Sequence, residues 1–529
     1  MKQKFRLSFT EYQLNKPTCF KIGSFYRSFT LMLFFLFLSI SSYSISYQTI
    51  NFDFVDNLAK ELSKAKYSAE AYKLPAEAAS LTRAQYDQIK FQKDKQLWNS
   101  KEMLFQLNLY PLGSVFSHPV QINEFKNNYL ENFRYSPDLY DFGNIKKQME
   151  GISGYAGFKL LCQLTKKNEY IPFVDFLGGS SLKALGRNNF PGSYTEGVSI
   201  NPSIPDVTKE YAYFKDFWIG KPDPKATSVI VYALLDSPSV TGAYEFQITP
   251  EEITTIKVKS VIYVRNSVTL LGLSPIISSF YLGENSRNIL KFNHPEVHSS
   301  DGLIISTSDT QTWKPLVNPQ QEQITLFPVN KIKYFGLLQR DRNYGNYLSP
   351  NNPYQLEPNV WVTPNSDWGA GTVYLIESPT PIGTFDGNIK VLWVPSSEIK
   401  PGIPYKFDYT INWSMKQPEQ KVATVTSTYL ETNPQNKNQT SFIIYFSSPE
   451  LDKMDDVTNI KAVTTISPNA KFVGDPQILK DPFNKQWRVI LTVEAAGKPV
   501  PVLPLFELSC KLIEKKKTIS ETWSYRWRP

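Results

Sequence analysis

Alternating apolar and polar positions recur along the chain after its first 50 residues and predict β-strands. Over 405–413 the odd positions are Tyr, Phe, Tyr, Ile and Trp, whereas the even positions are Lys, Asp, Thr and Asn. The same alternation returns over 487–494, and 228–235 is an apolar run that ends at Asp236. A period of two is typical of a half-buried strand, and a short apolar run bounded by turn residues is typical of a buried strand. A further strand is predicted within 256–268, which is rich in β-branched residues.

One helix is predicted near residue 55. Phe54, Val55, Leu58 and Leu62 repeat at near-helical spacing behind Asp53, which is a suitable N-cap. The rest of the chain reads as strands and turns, with no repeat of 20–50 residues that would favour a solenoid or propeller. We therefore predict an all-β protein.

A proline-rich stretch predicts how this β-structure divides. Residues 395–404 hold three prolines and one glycine, which do not fit inside a sheet. We expect a large N-terminal β-sandwich over 45–394, a linker over 395–404, and an immunoglobulin-like β-sandwich over 405–529.

The first 44 residues carry much of the net charge. They contain six basic residues against one acidic residue, followed by an apolar run over 31–38 and small residues at Ser42 and Ser44. This order is typical of a secretory signal peptide, and the apolar run is short for a membrane span. An uncleaved membrane anchor is the alternative. The chain totals +8, so about +3 remains on the body, which gives no electrostatic case for nucleic acid.

The composition narrows the chemistry. Three His and three Cys are too few for a Cys/His zinc site, and we expect no metal and no cofactor. Cys19 precedes the predicted mature chain, and Cys162 and Cys510 are expected to be buried free thiols. No nucleophile elbow, Walker loop or dinucleotide fingerprint is present. The 34 Phe, 30 Tyr and 10 Trp leave carboxylate chemistry among aromatic residues as the main possibility, as in glycoside hydrolysis.

Carboxylates adjoin turn residues and aromatics in four segments. These are 296–302, 339–342, 368–371 and 385–388. Ordinary turn chemistry and surface ion pairs explain most such segments, so composition alone does not make them catalytic.

These segments also carry a resemblance to a known family. The blocks Gly154-Tyr-Ala-Gly-Phe158, Leu282-Gly-Glu-Asn285, Pro295-Glu-Val-His298, Trp313-Lys-Pro-Leu316 and Phe335-Gly-Leu-Leu-Gln-Arg-Asp-Arg342 occur in order with several others. From about Phe52 to Tyr525 the chain resembles the periplasmic glucan biosynthesis proteins G and D. The resemblance implies a periplasmic protein with a glucan cleft in the N-terminal sandwich. It also implies β-1,2-glucan as ligand and the inner-membrane glucan synthase as a candidate partner.

The resemblance also assigns candidate roles. Asp386 falls on the family's general-acid aspartate. Ser299 stands where the family has the general-base aspartate, and Asp301 is the candidate to replace that base through a water molecule. Substrate-binding candidates are Glu296, His298, Arg340, Asp341, Trp361 and Trp368. Tryptophans such as these are more often core or sandwich-edge residues than sugar platforms, because aromatic side chains mainly supply buried area.

Three further positions depart from the family pattern. Glu196 and Glu357 stand where the family usually has arginine, and Gly220 stands where it usually has glutamate, which suggests changed ligand contacts. Two hypotheses therefore stay open. One is an inverting endo-β-1,2-glucanase or transglycosylase with Asp386 as acid, and the other is a glucan-binding biosynthesis factor with weakened catalysis, because a serine hydroxyl is a poor base.

Overall fold

Most of the chain is β-structure, as its alternating pattern predicts. The computed structural model describes residues 49–68, 72–100, 102–127, 129–166, 169–289, 294–381, 387–455, 457–495 and 505–528. Strands account for 48% of the structure and helices for 10%, in several sheets, so the predicted all-β sandwich class is confirmed. The predicted signal peptide over 1–44 lies outside the described residues. None of the helices in the described residues is long and apolar enough to cross a membrane.

A ten-stranded antiparallel sheet forms one layer of the larger sandwich. In spatial order its strands are Phe105–Pro111, Tyr155–Cys162, Ile171–Leu177, Ser181–Ala184, Tyr194–Glu196, Leu271–Ser278, Ile389–Pro395, Gly371–Glu377 and Gln323–Val329, with Val198–Ile200 also paired to Leu271–Ser278. Its inward-facing side chains are apolar, whereas several outward-facing ones are polar.

A fifteen-stranded sheet forms the opposite layer and continues beyond it. Its strands, in spatial order, are Ile460–Ile466, Phe506–Glu514, Thr522–Trp527, Gln311–Pro315, Gly302–Thr307, Ile332–Leu338, Asn359–Pro364, Pro404–Ser414, Thr254–Val264, Val240–Thr249, Val229–Asp236, Tyr213–Gly220, Gln121–Lys126 and Tyr129–Asn132, with Lys517–Thr518 paired to Phe506–Glu514. A parallel pairing of Thr312 with Thr522 and of Trp313 with Trp523 joins the C-terminal strands to the rest.

Aromatic side chains fill the core between the two sheets. Phe158 and Phe176 stack at 4.9 Å between ring centroids, and Phe217 and Phe246 meet them edge-on at 5.1 and 5.2 Å. The first two belong to the ten-stranded sheet and the other two to the fifteen-stranded sheet. Such pairs contribute roughly 0.5–1.5 kcal/mol each beyond their buried area.

A second core lies under a five-stranded sheet in the C-terminal part. That sheet comprises Thr424–Thr432, Gln439–Ser447, Trp487–Ala495 and Ala470–Phe472, with Gln477–Lys480 also paired to Trp487–Ala495. Phe442 packs against Trp523 and Tyr525 of the fifteen-stranded sheet at 5.7 and 5.4 Å. The C-terminal strands thus form a smaller sandwich.

The strand expected to open the C-terminal sandwich belongs to the larger one. Residues Pro404–Ser414 form an antiparallel strand, as the alternation predicts, but it pairs with Thr254–Val264 and Asn359–Pro364. Its side chains Ile411 and Trp413 join the main core. The assignment of 405–413 to the smaller sandwich was therefore wrong, since the proline-rich stretch 395–404 connects two strands of the larger sandwich.

The predicted helix is present as Phe52–Lys64. Its N-cap is Asn51 rather than Asp53, because Asn51 Oδ1 accepts a hydrogen bond from the backbone N–H of Phe54 at 2.9 Å. The helix packs on the outer face of the fifteen-stranded sheet, where Phe54 meets Trp218 at 5.4 Å.

The remaining elements are short. In the described part of the chain the other helices are Ala76–Ala79, Arg83–Tyr86 and Tyr344–Tyr347, and the 3₁₀ turns are Lys93–Lys95, Pro137–Leu139, Gly143–Ile145, Glu284–Ile289, Tyr354–Leu356, Leu451–Lys453 and Val457–Asn459. Two small sheets pair Lys90–Phe91 with Tyr140–Asp141 and Phe280–Leu282 with Val297–His298. Cys162 and Cys510 are buried free thiols, as predicted, and burial raises the pKa of each to about 12.

Candidate functional site

The segment 296–301 connects the two layers of the larger sandwich. It follows strand Leu271–Ser278 of the ten-stranded sheet and leads into Gly302–Thr307 of the fifteen-stranded sheet. A side chain at Gly302 would place its Cβ 2.3 Å from the Trp313 ring, so only glycine fits where the segment enters the sheet. The side chains of this segment divide between a buried polar cluster and a neighbouring cavity.

His298 is at the centre of the buried polar cluster, which we define as Glu284, Glu296, His298, Asp301 and Gln339. Its Nε2 lies 3.0 Å from Glu296 Oε2, and its Nδ1 lies 3.0 Å from Gln339 Oε1 and 3.3 Å from Asp301 Oδ1. The His298 and Glu296 side chains have no exposed surface. An imidazole ring that faces acceptors at both nitrogens is suited to the doubly protonated, cationic form.

The electrostatics of the cluster favour this charge. Burial works against a charged His298, but Asp301 and Glu296 outweigh it and raise the pKa of His298 to about 9. Burial, followed by repulsion from Asp301 and Glu296, raises the pKa of Glu284 to about 8. Burial also raises the pKa of Asp301, against the attraction of His298. At neutral pH the cluster therefore holds an imidazolium among carboxyl groups that share protons.

Asp301 stabilises the buried polar cluster and the turn beside it. Its Oδ2 accepts hydrogen bonds from the backbone N–H groups of Arg340 and Asp341, the latter at 2.7 Å, and its Oδ1 faces His298. The carboxyl group thereby fixes the turn after strand Ile332–Leu338. Asp301 does not line the cavity described below, so this geometry lends no support to its expected role as a substitute base.

The side chains of Arg340 and Asp341 contact other residues of the protein. Arg340 makes a two-pronged ion pair with Glu521 at 2.7 and 2.9 Å and lies 3.6 Å above the centre of the Trp313 ring. Asp341 accepts hydrogen bonds from the backbone of Asn343 and the side chain of Asn346. Both residues therefore hold neighbouring segments in place.

A cavity of about 290 Å³ opens beside Ser299. Its lining residues are Lys183, Phe190, Pro191, Gly192, Tyr194, Ile277, Ser278, Ser279, Ser299, Asn352, Tyr354, Glu357 and Gly387. The expected acid, Asp386, lies outside the described residues, but the residue after it is Gly387. The structure thus brings Ser299 and the neighbour of Asp386 to one cavity.

Glu357 is the carboxylate of this cavity among its described lining residues. It is 4% exposed, and its Oε2 has no hydrogen-bond partner in the described part of the chain. Burial raises the pKa of Glu357 to about 8, against a side-chain hydrogen bond from Ser299 and the attraction of Lys183 and His298. Arg342 holds the backbone nearby by donating to the carbonyls of Gln355 and Glu357 at 3.0 and 2.5 Å.

The structure does not bring the two candidate tryptophans to the cavity. Trp361 is buried within the fifteen-stranded sheet, paired across strands with Gly336 and Asn412. Trp368 packs against Trp393 and Tyr409 at 5.1 and 5.6 Å, beside the main core. Trp361 is thus buried in its sheet and Trp368 lies half-buried against the main core, and neither lines the cavity.

Three carboxyl and imidazole groups have the spacing of a metal site. Ligand atoms of Glu296, His298 and Asp301 all lie within 4.8 Å of one another. Both ring nitrogens of His298 already face polar partners, and a metal-bound imidazole would have to give up one of them. These three groups are therefore better suited to sharing protons than to binding a metal ion.

Sequence reasoning missed several residues of the site. The sequence marks Glu357 only as a departure from the family pattern and Gln339 only as the first residue of segment 339–342, and it does not mark Lys183 or Tyr347. Gln339 Nε2 donates to the His298 carbonyl at 3.0 Å and to the Tyr347 hydroxyl at 2.9 Å. The signal for Glu284 and Gln339 was their position inside quoted sequence blocks, whereas nothing in the local pattern marks Lys183.

The chain matches a family model, and a distant solved structure is among the chains similar to it. The family model described as "Periplasmic glucan biosynthesis protein, MdoG" matches residues 50–527. The solved structure of the Slr1438 protein from Synechocystis sp. PCC 6803 shares 9% identity, with a TM-score of 0.15. That match covers 61% of this chain and 95% of that one, and its TM-score is too low to support an argument.

The family match settles the assignment, because it spans nearly all of the described chain and includes both sandwiches. It agrees with the resemblance found in the sequence blocks. It also places the chain in a process, the biosynthesis of periplasmic glucans. The chain belongs to the MdoG family of periplasmic glucan biosynthesis proteins.

Proposed function

We propose that this protein binds β-1,2-linked glucan during the biosynthesis of osmoregulated periplasmic glucans. The glucan occupies the outer face of the ten-stranded sheet and the cavity beside Ser299. It arrives from the inner-membrane glucan synthase, the expected partner. The observation that carries the proposal is the family match over 50–527, together with a polar row on that sheet that runs through this cavity.

The polar row consists of side chains on neighbouring strands, which are polar at every position except Ile277. Cross-strand pairs link Asn108 with Lys159, Lys159 with Asp175, Asp175 with Lys183, Tyr194 with Ile277, and Ile277 with Lys390. Lys183 and Tyr194 connect the two parts of this row, because Lys183 Nζ lies 6.0 Å from the centre of the Tyr194 ring. Strands are about 4.8 Å apart, so a row across seven strands extends for about 29 Å. This length suits a polymer rather than a single sugar.

A second cavity of about 250 Å³ lies at the Lys390 end of the row. Lys390 Nζ there forms an ion pair with Glu196 at 2.8 Å, and the largely exposed Tyr211 ring lines the same cavity. Charged groups, hydroxyls and an aromatic face are the groups that bind sugar hydroxyls and C–H surfaces. Both cavities can therefore hold parts of one chain.

Calorimetry with linear β-1,2-glucan oligosaccharides tests the proposal. We expect heat of binding from the wild type and an affinity at least about tenfold lower for Lys183→Ala and Tyr194→Ala. Glu252→Gln is the matched control, since Glu252 forms a surface ion pair with Lys416. Absence of heat with β-1,2-linked oligomers, or equal affinity for β-1,4-linked ones, would contradict the proposal.

An inverting endo-β-1,2-glucanase or transglycosylase with Asp386 as general acid is the second candidate. It is favoured by the cavity that Ser299, Glu357 and Gly387 share. Chromatography of the products after incubation with the polymer tests it. New oligosaccharides that disappear in Asp386→Asn would support the enzyme, whereas binding without products would leave the glucan-binding function alone.

A further inference from the structure

The cavity beside Ser299 contains one carboxyl group among its described lining residues, that of Glu357. A carboxylate that is 4% exposed and has an oxygen without a partner is costly to bury, so its retention calls for a reason. The space around that oxygen is tight, because a Cβ on Gly192 would lie 2.2 Å from Glu357 Oε2. The glycine leaves the carboxyl group room at the cavity wall.

Ser299 connects this carboxyl group to a chain of hydroxyls. The Ser299 and Ser279 hydroxyls lie 2.8 Å apart, and Ser299 lines the same cavity as Glu357, whose pKa its hydroxyl acts to lower. Both serines and Glu357 line the cavity. A hydroxyl that donates to a carboxylate while accepting from another group can pass a proton along without holding a charge.

We propose that Glu357 accepts, through the Ser299 hydroxyl, the proton of the nucleophile that attacks a glucan bound in this cavity. This inference rests on the proposed function and extends it to catalysis. The role compensates within this chain for the absence of a carboxylate at position 299. It also accounts for a glutamate at position 357, which would otherwise be an unexplained buried carboxyl group.

The step balances in atoms and charge. The oxygen of water, or of an acceptor sugar in transglycosylation, bonds to the anomeric carbon as the glycosidic C–O bond breaks. The nucleophile's proton moves to Ser299 Oγ while the Ser299 proton moves to the Glu357 carboxylate. The leaving oxygen takes a proton from the acid assigned by sequence to Asp386. Solvent exchange then returns both carboxyl groups to their starting states.

Charged groups on several elements face Glu357 and set its titration. Lys183 of the ten-stranded sheet, His298 of the buried polar cluster and Arg342 favour the carboxylate, whereas burial raises its pKa to about 8. Glu357 is therefore a better acceptor above this pH. Turnover is expected to rise with pH between about 7 and 9, because the ionised form accumulates over that range.

The test compares turnover of β-1,2-glucan by the full chain and its variants across this pH range. Glu357→Gln keeps the size of the side chain and is expected to lower kcat by about 10²–10⁴ with little change in KM, and to remove the rise with pH. Ser299→Ala is expected to cause a similar loss. Glu252→Gln is the control and should leave both the rate and the pH profile unchanged.

Rescue separates proton transfer from folding. Adding Ser299→Asp to Glu357→Gln places a carboxylate at position 299 of the cavity, and the glutamine at position 357 ensures that no second carboxylate lies beside it. Recovery of at least about tenfold in kcat would support the assignment. If Glu357→Gln retains the wild-type rate and pH profile, or if the double variant recovers nothing while remaining folded, the assignment is overturned.

Calorimetry distinguishes this inference from the proposed function. Wild-type protein that binds β-1,2-glucan without releasing or transferring any product would overturn the role of Glu357 and leave glucan binding intact. Wild-type protein that neither binds nor turns over the glucan would overturn both.

Discussion

Lys314 and Glu377 join the two layers of the larger sandwich through an ion pair with no exposed side-chain surface. Lys314 Nζ lies 3.2 and 3.3 Å from the two Glu377 oxygens and also donates to the Pro315 carbonyl at 2.7 Å. Glu377 accepts further hydrogen bonds from Val317 and Gln323. Because both charges of this buried pair have hydrogen-bond partners, the pair destabilises the fold only when one residue is removed and the other charge stays buried without its counter-ion.

Lys314→Met is therefore expected to lower the free energy of unfolding by about 3–5 kcal/mol, since Glu377 would be left buried without its counter-ion. Denaturant unfolding measures the change. Adding Glu377→Leu should recover part of the loss because no charge then remains. Lys331→Met, which breaks an exposed pair with Asp367, is the control and should change stability by less than about 1 kcal/mol. Equal effects of the two lysine variants would contradict the prediction.

The sequence predicts the strands well because burial imposes a period of two on their side chains. Strands Trp487–Ala495 and Pro404–Ser414 both lie where the alternation predicts them. It could not predict which sheet Pro404–Ser414 joins, since the pairing with Thr254–Val264 depends on residues 150 positions away. The local alternation of apolar and polar residues does not indicate which distant strand will be the pairing partner.

The candidate site was predictable only in part, for a related reason. His298 and Glu296 are two residues apart, so their contact is local and the quoted block contains both. Glu357 and Ser299 are 58 positions apart and line one cavity, because the 3₁₀ turn Tyr354–Leu356 and the hydrogen bond from Arg342 position the Glu357 backbone. Arginine is a residue type that often contacts ligands, but the ion pair of Arg340 with the distant Glu521 gives Arg340 a structural role.

Arg340→Lys tests this structural role. Lysine keeps the charge but cannot reproduce the two-pronged pair with Glu521 or stack on Trp313 in the same way. We expect a loss of about 2 kcal/mol or more in unfolding free energy, on the scale of broken charged hydrogen bonds. Affinity for β-1,2-glucan oligosaccharides should stay within about twofold of wild type. A large loss of affinity in a protein of unchanged stability would return Arg340 to the binding site.

Trp368→Ala makes the same distinction for an aromatic candidate. Trp368 packs on Trp393, Phe407 and Tyr409, so its removal leaves a gap beside the main core. The expected loss of stability approaches the roughly 3–5 kcal/mol of a buried Trp→Ala change, reduced because the ring is only half-buried. Glucan affinity measured by calorimetry below the melting temperature should not change. Tyr194→Ala is the contrasting variant, expected to lose affinity with a smaller loss of stability.

The protonation of His298 makes stability depend on pH. The pKa of His298 is about 9 in the folded protein against 6.5 for a free side chain, so its contribution is complete below pH 6.5 and disappears as pH rises through 9. Glu284, with its pKa raised to about 8, acts in the same direction, because the folded state again binds more protons than the unfolded state. The unfolding free energy should therefore fall between pH 6.5 and 9, by on the order of 3 kcal/mol from His298 alone.

His298→Gln identifies the source of that fall. The variant should be less stable than wild type at pH 6.5, because Glu296 and Asp301 then face no imidazolium, and the difference should shrink by pH 9. His118→Gln is the matched control, since His118 is exposed and should leave the stability profile unchanged. Denaturant midpoints at half-unit pH steps measure both. A wild-type profile that is flat or rising from pH 6.5 to 9 would show that His298 is neutral in the folded protein.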